Sequence, residues 1–237
     1  MSSRFKDRAD AGRQLAAKLS HLRDAQPIVL GLPRGGVPVA FEVAHALEAP
    51  LDVINVRKLG VPWHEELAMG AISTGNVRVL NNDVIMSAGV TREDLESVSR
   101  LQRLELDRRE RLYRNGRPAP DLVGKAVILV DDGIATGATV RAAIAVIRAQ
   151  HPARLVLAVP VAQASVASEL AREVDELECV LTPADLYAIG LWYDSFPQLT
   201  DEEVRILLAR AAGEPAAALM DVGAPKVNDG EEVIPIT

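Results

Sequence analysis

Between Ala126 and Ala142 the chain reads AVILVDDGIATGATVRA, a hydrophobic run that ends in two adjacent carboxylates and opens through small residues into a helix. Val127, Ile128, Leu129 and Val130 are β-prone, so Asp131 and Asp132 fall at the carboxyl end of a buried strand, where open α/β sheets bind ligands. Carboxylates there can accept hydrogen bonds from a polyol or face a metal ion. Thr136, Gly137, Ala138 and Thr139 then combine small side chains, hydroxyl donors and free backbone N–H groups at a helix start, which suits a phosphate. One loop thus offers acceptors for hydroxyls and a cradle for an anion.

The order of hydrophobic run, two acids, short spacer and T-G-x-T resembles the 5-phosphoribosyl-1-pyrophosphate (PRPP) signature of the type I phosphoribosyltransferase family. The resemblance implies that Asp131 and Asp132 are the catalytic acids and hold the ribose hydroxyls. It also implies that the loop from Ala135 through Thr136, Gly137, Ala138 and Thr139 holds the 5'-phosphate. Mg²⁺ is the implied cofactor, with Asp131 and Asp132 as its protein ligands, directly or through substrate or water. In 6-oxopurine enzymes of the family the residue before T-G-x-T is commonly an aspartate that exchanges a proton with the purine. Here it is Ala135, whose methyl group is neither acid nor base. That argues against a hypoxanthine or guanine acceptor and leaves adenine-like, pyrimidine-like or unusual acceptors open.

A second strand-to-loop-to-helix passage runs from Val29 to Ala40, VLGLPRGGVPVA. Gly35 and Gly36 permit unusual backbone angles and close approach of a ligand, and Arg34 adds a cation beside the next helix start. The passage looks like the family's pyrophosphate loop, so Arg34, Gly35 and Gly36 are expected at pyrophosphate. Arg57-Lys58, after the next strand, resembles the basic pair of adenine and orotate phosphoribosyltransferases and adds Lys58 to that set. Those relatives often carry a further lysine three positions later, where this chain has Val61. Glu66 can approach the same site or serve as an ordinary surface carboxylate.

Eight aromatic residues occur in the chain, and Tyr187, Trp192, Tyr193 and Phe196 fall within ten positions of one another. Such a cluster offers flat surfaces for stacking a heterocycle, and the family's base site is lined by the loop after the last core strand, so Tyr187, Trp192 and Tyr193 are the expected base-binding residues. The same residues can equally form a small satellite core that anchors a helix over Asp201 to Ala211.

The elements that must position these groups alternate along the chain, which indicates an α/β fold with a mainly parallel sheet flanked by helices. Strands are expected at Ile28 to Leu32, Leu51 to Val56, Ala126 to Val130, Leu155 to Pro160 and Glu178 to Leu181. Helical spacing of apolar residues marks Asp7 to Leu22, Pro38 to Leu47, Thr139 to Ala149 and Ser165 to Val174. Ala68 to Leu80 reads as a hairpin turning at Ser73 to Asn76. Thr91 to Arg117 reads as a long charged helix, capped by Thr91 and Asp94, with leucines at 95, 101 and 112 and a solvated or dimer-facing surface; the resemblance also allows one of its arginines, none singled out, to reach pyrophosphate. The resemblance therefore implies a type I phosphoribosyltransferase-like core over residues 1–212 with a small hairpin and hood region, the aromatic hood segment lying near 183–200. Residues 213–237, rich in Ala, Gly, Pro and acids, read as a flexible or docking tail.

The chain has 237 residues, 49% of them hydrophobic, enough for a substantial core in one embellished domain. Its net charge of -7 disfavours general attraction to nucleic acid. No apolar run approaches the ~20 residues that span a bilayer, and the polar amino terminus is unlike a signal. Cys179, the single cysteine, sits in apolar LECVL as a buried structural thiol, consistent with a reducing cytoplasm. His21, His45, His64 and His151 are scattered, as expected for an oxygen-ligated hard-ion site. The expected activity is transfer of a phosphoribosyl group from PRPP to a small nitrogenous acceptor by a cytoplasmic homodimer, with neither nucleic acid nor membrane as partner. The alternative is a regulatory module of the same fold that senses PRPP without turnover. A receiver domain would leave T-G-A-T unexplained, and neither G-x-x-x-x-G-K-[ST] nor G-x-S-x-G is present.

Overall fold

The computed structural model describes residues 4–74, 77–114 and 117–214. In chain order the elements are α1 (Arg8–Lys18), β1 (Ile28–Gly31), α2 (Gly36–Leu47), β2 (Leu51–Val53), β3 (Val56–Val61), β4 (His64–Ser73), β5 (Arg78–Leu80), α3 (Asn82–Ser87) and α4 (Arg92–Arg114). They continue with β6 (Ala126–Val130), α5 (Ala138–Arg148), β7 (Arg154–Val161), α6 (Ala164–Leu170), β8 (Glu176–Leu181) and α7 (Asp201–Ala211). Five strands form a parallel sheet in the order β2-β1-β6-β7-β8. None of the described helices is long and apolar enough to cross a membrane.

The strand that carries the acid pair shows why the sheet is parallel and sandwiched. Val127 to Val130 are fully buried, with no polar alternation, as a strand covered on both faces requires. Val127 and Leu129 pack with Val140, Ile144 and Ile147 of α5, whereas Ile128 and Val130 pack with Leu15 of α1 and Val39 and Val43 of α2. The period-2 alternation of β6 thus sorts its side chains between two helical layers. Fixed between them, this central strand delivers Asp131 and Asp132 to the carboxyl end of the sheet.

Sequence and structure part company between β2 and β4. The expected strand Leu51 to Val56 is two strands, because the chain leaves the parallel sheet at Ile54–Asn55 and enters a separate antiparallel sheet, β3-β4-β5. Ser73 Oγ seals this crossover by donating to the Asn55 carbonyl at 2.7 Å. Arg57 and Lys58 consequently lie inside β3 rather than after a strand. The hairpin expected at Ala68 to Leu80 is present as β4 and β5, with Gly75 and Asn76 of its turn outside the described residues.

Helix α4 has the Thr91–Asp94 cap: Thr91 N–H donates to the Asp94 carboxylate at 3.0 Å, and Asp94 N–H donates to Thr91 Oγ1 at 3.1 Å. It is docked rather than solvated, through a seam of Leu95, Ser99, Leu106 and Tyr113, while Leu101 is exposed. Leu95 and Leu106 meet Leu59, Met69 and Ile72 of the antiparallel sheet. At its far end Arg114 is buried against Asp52, Glu110 and the Val53 carbonyl, joining α4 to the edge of the parallel sheet. Of the expected 213–237 tail, only residues 213 and 214 are described.

Candidate active site

Packing holds the acid loop from behind. Leu32 N–H donates to the Val130 carbonyl at 2.9 Å, so the β1 and β6 loops leave the sheet side by side. Gly35 has ordinary helical angles (φ -60°, ψ -38°), and Gly36 is not at positive φ, contrary to the unusual angles expected of the pair. They are glycines because of proximity: a Cβ on Gly35 would stand 2.0 Å from Asp132 Oδ2, and one on Gly36 would stand 2.7 Å from the Val130 carbonyl oxygen. What approaches these glycines closely is the acid loop itself. At the loop's other end Gly137, in the left-handed conformation at φ 76°, turns the chain into α5 and leaves Thr136, Ala138 and Thr139 exposed at the helix start.

The two carboxylates differ. Asp132 is buried, and its Oδ2 accepts from Arg8 Nε at 2.8 Å. Asp131 is half-buried, and its Oδ1 accepts from the Asp132 N–H at 2.9 Å. Burial, then the neighbouring Asp132 charge, pushes Asp131 well above the usual carboxylate range. Burial also raises Asp132, although the hydrogen bond and charge of Arg8 pull it back. The two adjacent carboxylates, with the Arg8 guanidinium bonded to Asp132, form an acidic and largely desolvated site. Mg²⁺ ordinarily takes one or two carboxylates and fills the rest of its sphere with substrate oxygens and water. Asp131 and Asp132 match that donor set, and no group of three or more metal-ligating His, Cys, Asp or Glu occurs among the described residues.

On one side of the loop lies a cavity of about 370 Å³ between Pro33, Thr139 and Ala138, walled by Arg57, Lys58, Gln102 and Arg109. Lys58, expected at pyrophosphate, lines this cavity together with Ala138 and Thr139 of the helix start. Arg57, the other half of the basic pair, lines it as well, and Gln102 and Arg109 join them unannounced by any motif. Burial, then the like charge of Arg109, lowers Arg57, whose Nε is buried without a hydrogen-bond partner. Both cavity arginines share Glu105, which accepts from Arg109 Nε at 2.7 Å and lies 4.0 Å from Arg57; it also accepts from Arg108 Nε at 2.8 Å, whose guanidinium lies 3.5 Å from Asp201 as well. The Glu105 pKa is held down at about 2, chiefly by Arg108 and then Arg109. Cations outnumbering their counter-charges around a cavity at a helix N-terminus are chemically suited to an anion. Glu66 lies at its margin, 3.4 Å from Lys58 and almost fully exposed.

A second cavity, of about 520 Å³, opens on the other side between Arg34, Gly35, Asp132 and the segment after β8. Arg34 is exposed and makes no ion pair with the described residues, which leaves its guanidinium available. The cavity wall is Ile189, Phe196, Pro197 and Leu199, and the three expected stacking residues lie elsewhere. Tyr187 projects into solvent at 90% exposure, and Trp192 packs in the satellite core with Leu186. The Tyr193 ring is buried between Phe5 and Phe196, and its hydroxyl donates to the Asp132 carbonyl at 2.6 Å. The satellite-core alternative therefore describes Tyr193, because both faces of its ring are covered. Ala135 packs against the same cluster. Cys179 is remote from this chemistry; its thiol donates to the Leu181 carbonyl, and burial pushes its pKa up to about 11.

Arg8 is, with Arg109, a cation that no motif announced. Its signal was its helical position: Arg8, Ala11, Gly12, Leu15 and Ala16 form one buried stripe of α1, and an arginine on such a stripe needs a buried anion.

Comparison with known proteins agrees with this architecture. Residues 2–185 match the family described as phosphoribosyl transferase domain. The chain is 48% identical, over 229 residues, to a protein named "Putative phosphoribosyl transferase Rv0571c" in Mycobacterium tuberculosis strain H37Rv and to its counterpart in strain CDC 1551. That alignment covers 96% of this chain and 52% of each relative, so the chain spans about half the length of the curated relatives it matches. Among solved structures it is similar to TT1426 from Thermus thermophilus, with a TM-score of 0.81 and 42% identity over 87% of this chain and 98% of the other. The parallel sheet, the acid loop at the carboxyl end of its central strand and the match over most of the sequence lead to one conclusion: the chain belongs to the phosphoribosyl transferase domain family.

Proposed function

We propose that this domain transfers a phosphoribosyl group from PRPP to a nitrogen nucleophile and releases pyrophosphate. One observation carries the reading: the small-residue helix start that follows the acid pair shares a cavity with Arg57, Lys58 and Arg109. A site for a lone phosphate has no use for so many cations, whereas a phosphosugar bearing a pyrophosphate does. In this reading Ala135 to Thr139 hold the 5'-phosphate, and Asp131 and Asp132 accept from the ribose hydroxyls. Lys58, Arg57 and Arg109, with the loop of Arg34, Gly35 and Gly36, receive the pyrophosphate. The acceptor enters the second cavity, against Ile189 and Phe196.

The nitrogen lone pair forms the bond to C1' while the C1'–oxygen bond breaks, its electron pair leaving with pyrophosphate. Positive charge grows on the sugar and negative charge on the leaving group, so carboxylates on one side and guanidiniums on the other both favour the transition state. Mg²⁺, when bound, would add charge neutralisation at pyrophosphate and ribose oxygens.

The test mixes protein, Mg²⁺ and PRPP with purine, pyrimidine and pyridine bases and follows pyrophosphate release. Base-dependent release that is lost in Asp131→Asn supports the proposal. Tight PRPP binding without release from any base would identify a sensing module instead.

A further inference from the structure

The guanidinium of Arg8 does more than pair with Asp132. Its side chain is 9% exposed, and it has three partners: Nε donates to Asp132 Oδ2 at 2.8 Å, an Nη donates to the Pro197 carbonyl at 2.8 Å, and Cζ lies 3.7 Å from the ring centroid of Phe196. One partner belongs to the acid loop and two to the hood segment after β8. The chain around Arg8 follows the same line. Phe5 N–H donates to the Trp192 carbonyl at 2.9 Å, Asp194 N–H to the Phe5 carbonyl at 2.8 Å, and Ser195 N–H to the Lys6 carbonyl at 2.9 Å. Residues 5–8 therefore stitch the hood to the edge of the sheet, and Arg8 is the stitch that reaches the acid pair.

We propose that Arg8 is a positioning residue: by bridging Asp132, Pro197 and Phe196 it fixes the hood over the acid loop and thereby sets the shape of the acceptor cavity. The inference rests on the acceptor placement given above. Arg8, Asp132, Phe196 and Pro197 all line that cavity, so a hood that swings away widens it on the acceptor side, leaving the cationic cavity beyond the loop unaltered. Only a planar fork can bond two acceptors in different directions and stack on a ring at once; a lysine ammonium supplies the charge without the geometry. Arg8→Lys thus separates positioning from simple charge pairing. Phe196→Leu removes the stacking surface while leaving Arg8 and Asp132 in place.

Backbone hydrogen exchange, calorimetry with PRPP and acceptor kinetics test the claim together. In both Arg8→Lys and Phe196→Leu, exchange at the amides of Tyr193, Asp194 and Ser195 is expected to rise about tenfold. The KM for the acceptor is expected to rise about tenfold as well, with PRPP affinity staying within about twofold of wild type. Unchanged exchange in both variants overturns the proposal, as does a fall in PRPP affinity that matches the loss at the acceptor, which would make Arg8 a general support of the fold. Should Arg8→Lys fail to fold, Phe196→Leu decides by the same readings. If the wild-type protein turns over no acceptor, phosphoribosyl transfer fails as a reading, and the exchange measurement still decides the role of Arg8.

Discussion

The acid loop and the cationic wall face the same proposed donor, yet they are held in place in opposite ways. Asp131 and Asp132 are adjacent in sequence, leave a strand buried on both faces, and are backed by glycines with no room for a methyl group. Arg57, Lys58 and Arg109 come from a strand of the second sheet and from a helix, and they reach the cavity on long side chains. The first wall is defined by backbone and close packing, the second by side-chain reach. Position is strict where transition-state charge must be met within hydrogen-bond distance, and adaptable where a diffuse polyanion is gathered.

The sharpest way to break that contrast is Gly35→Ala. Its Cβ would be driven into Asp132, so unfolding by urea is expected to show a loss of about 3 kcal/mol, together with loss of PRPP binding. Neutral replacements in the cationic wall should leave the fold intact. Lys58→Met combined with Arg109→Gln is expected to lower PRPP affinity about 100-fold by calorimetry, with stability nearly unchanged, because exposed or partly exposed ion pairs contribute little.

Asp131→Asn separates function from stability. Its carboxyl has a folded pKa above the unfolded one, so it costs folding energy above that folded pKa, and the cost declines as pH falls from the folded pKa to the unfolded one. The variant is expected to be more stable than wild type by about 1 kcal/mol at neutral pH in thermal unfolding, with the difference vanishing on the acid side, while turnover is lost. A destabilised variant at neutral pH would contradict the described environment. Tyr193→Phe should cost about 1 kcal/mol through the unpaired Asp132 carbonyl. Tyr187→Ala, at a fully solvated ring, should change stability by less than about 0.5 kcal/mol, so any rise in acceptor KM would report recruitment of Tyr187 when the acceptor binds.

How much of this was legible in the chain follows from the same contrast. The acid loop could be read because its parts are contiguous and each has a local cause: β-prone residues, two acids, a glycine at positive φ, a helix. The parallel sheet was readable from alternation for the same reason. Arg57 and Lys58 were singled out, but their element was misjudged, since the switch between sheets at Ile54–Asn55 has no local signature beyond a buried asparagine. Arg109 and Gln102 were invisible among the many polar residues of α4, because only tertiary docking selects the side of that helix that meets the cavity. The aromatic cluster was recognised, but covalent order does not tell which ring becomes core. Phe5, more than 180 residues upstream, covers Tyr193 and decides it. Arg8 is intermediate: it stood on a readable apolar stripe, but its partner lay 124 residues away.

The central claim is that the acid loop and the cationic wall grip one molecule together. Calorimetric titration of PRPP with Mg²⁺ into wild type, Asp132→Asn and Lys58→Met tests it directly. The account expects tight one-to-one binding to the wild-type domain and at least about tenfold weaker binding to each variant, from opposite sides of the same ligand. Wild-type affinity in both variants, or no binding to the wild-type domain, would contradict it.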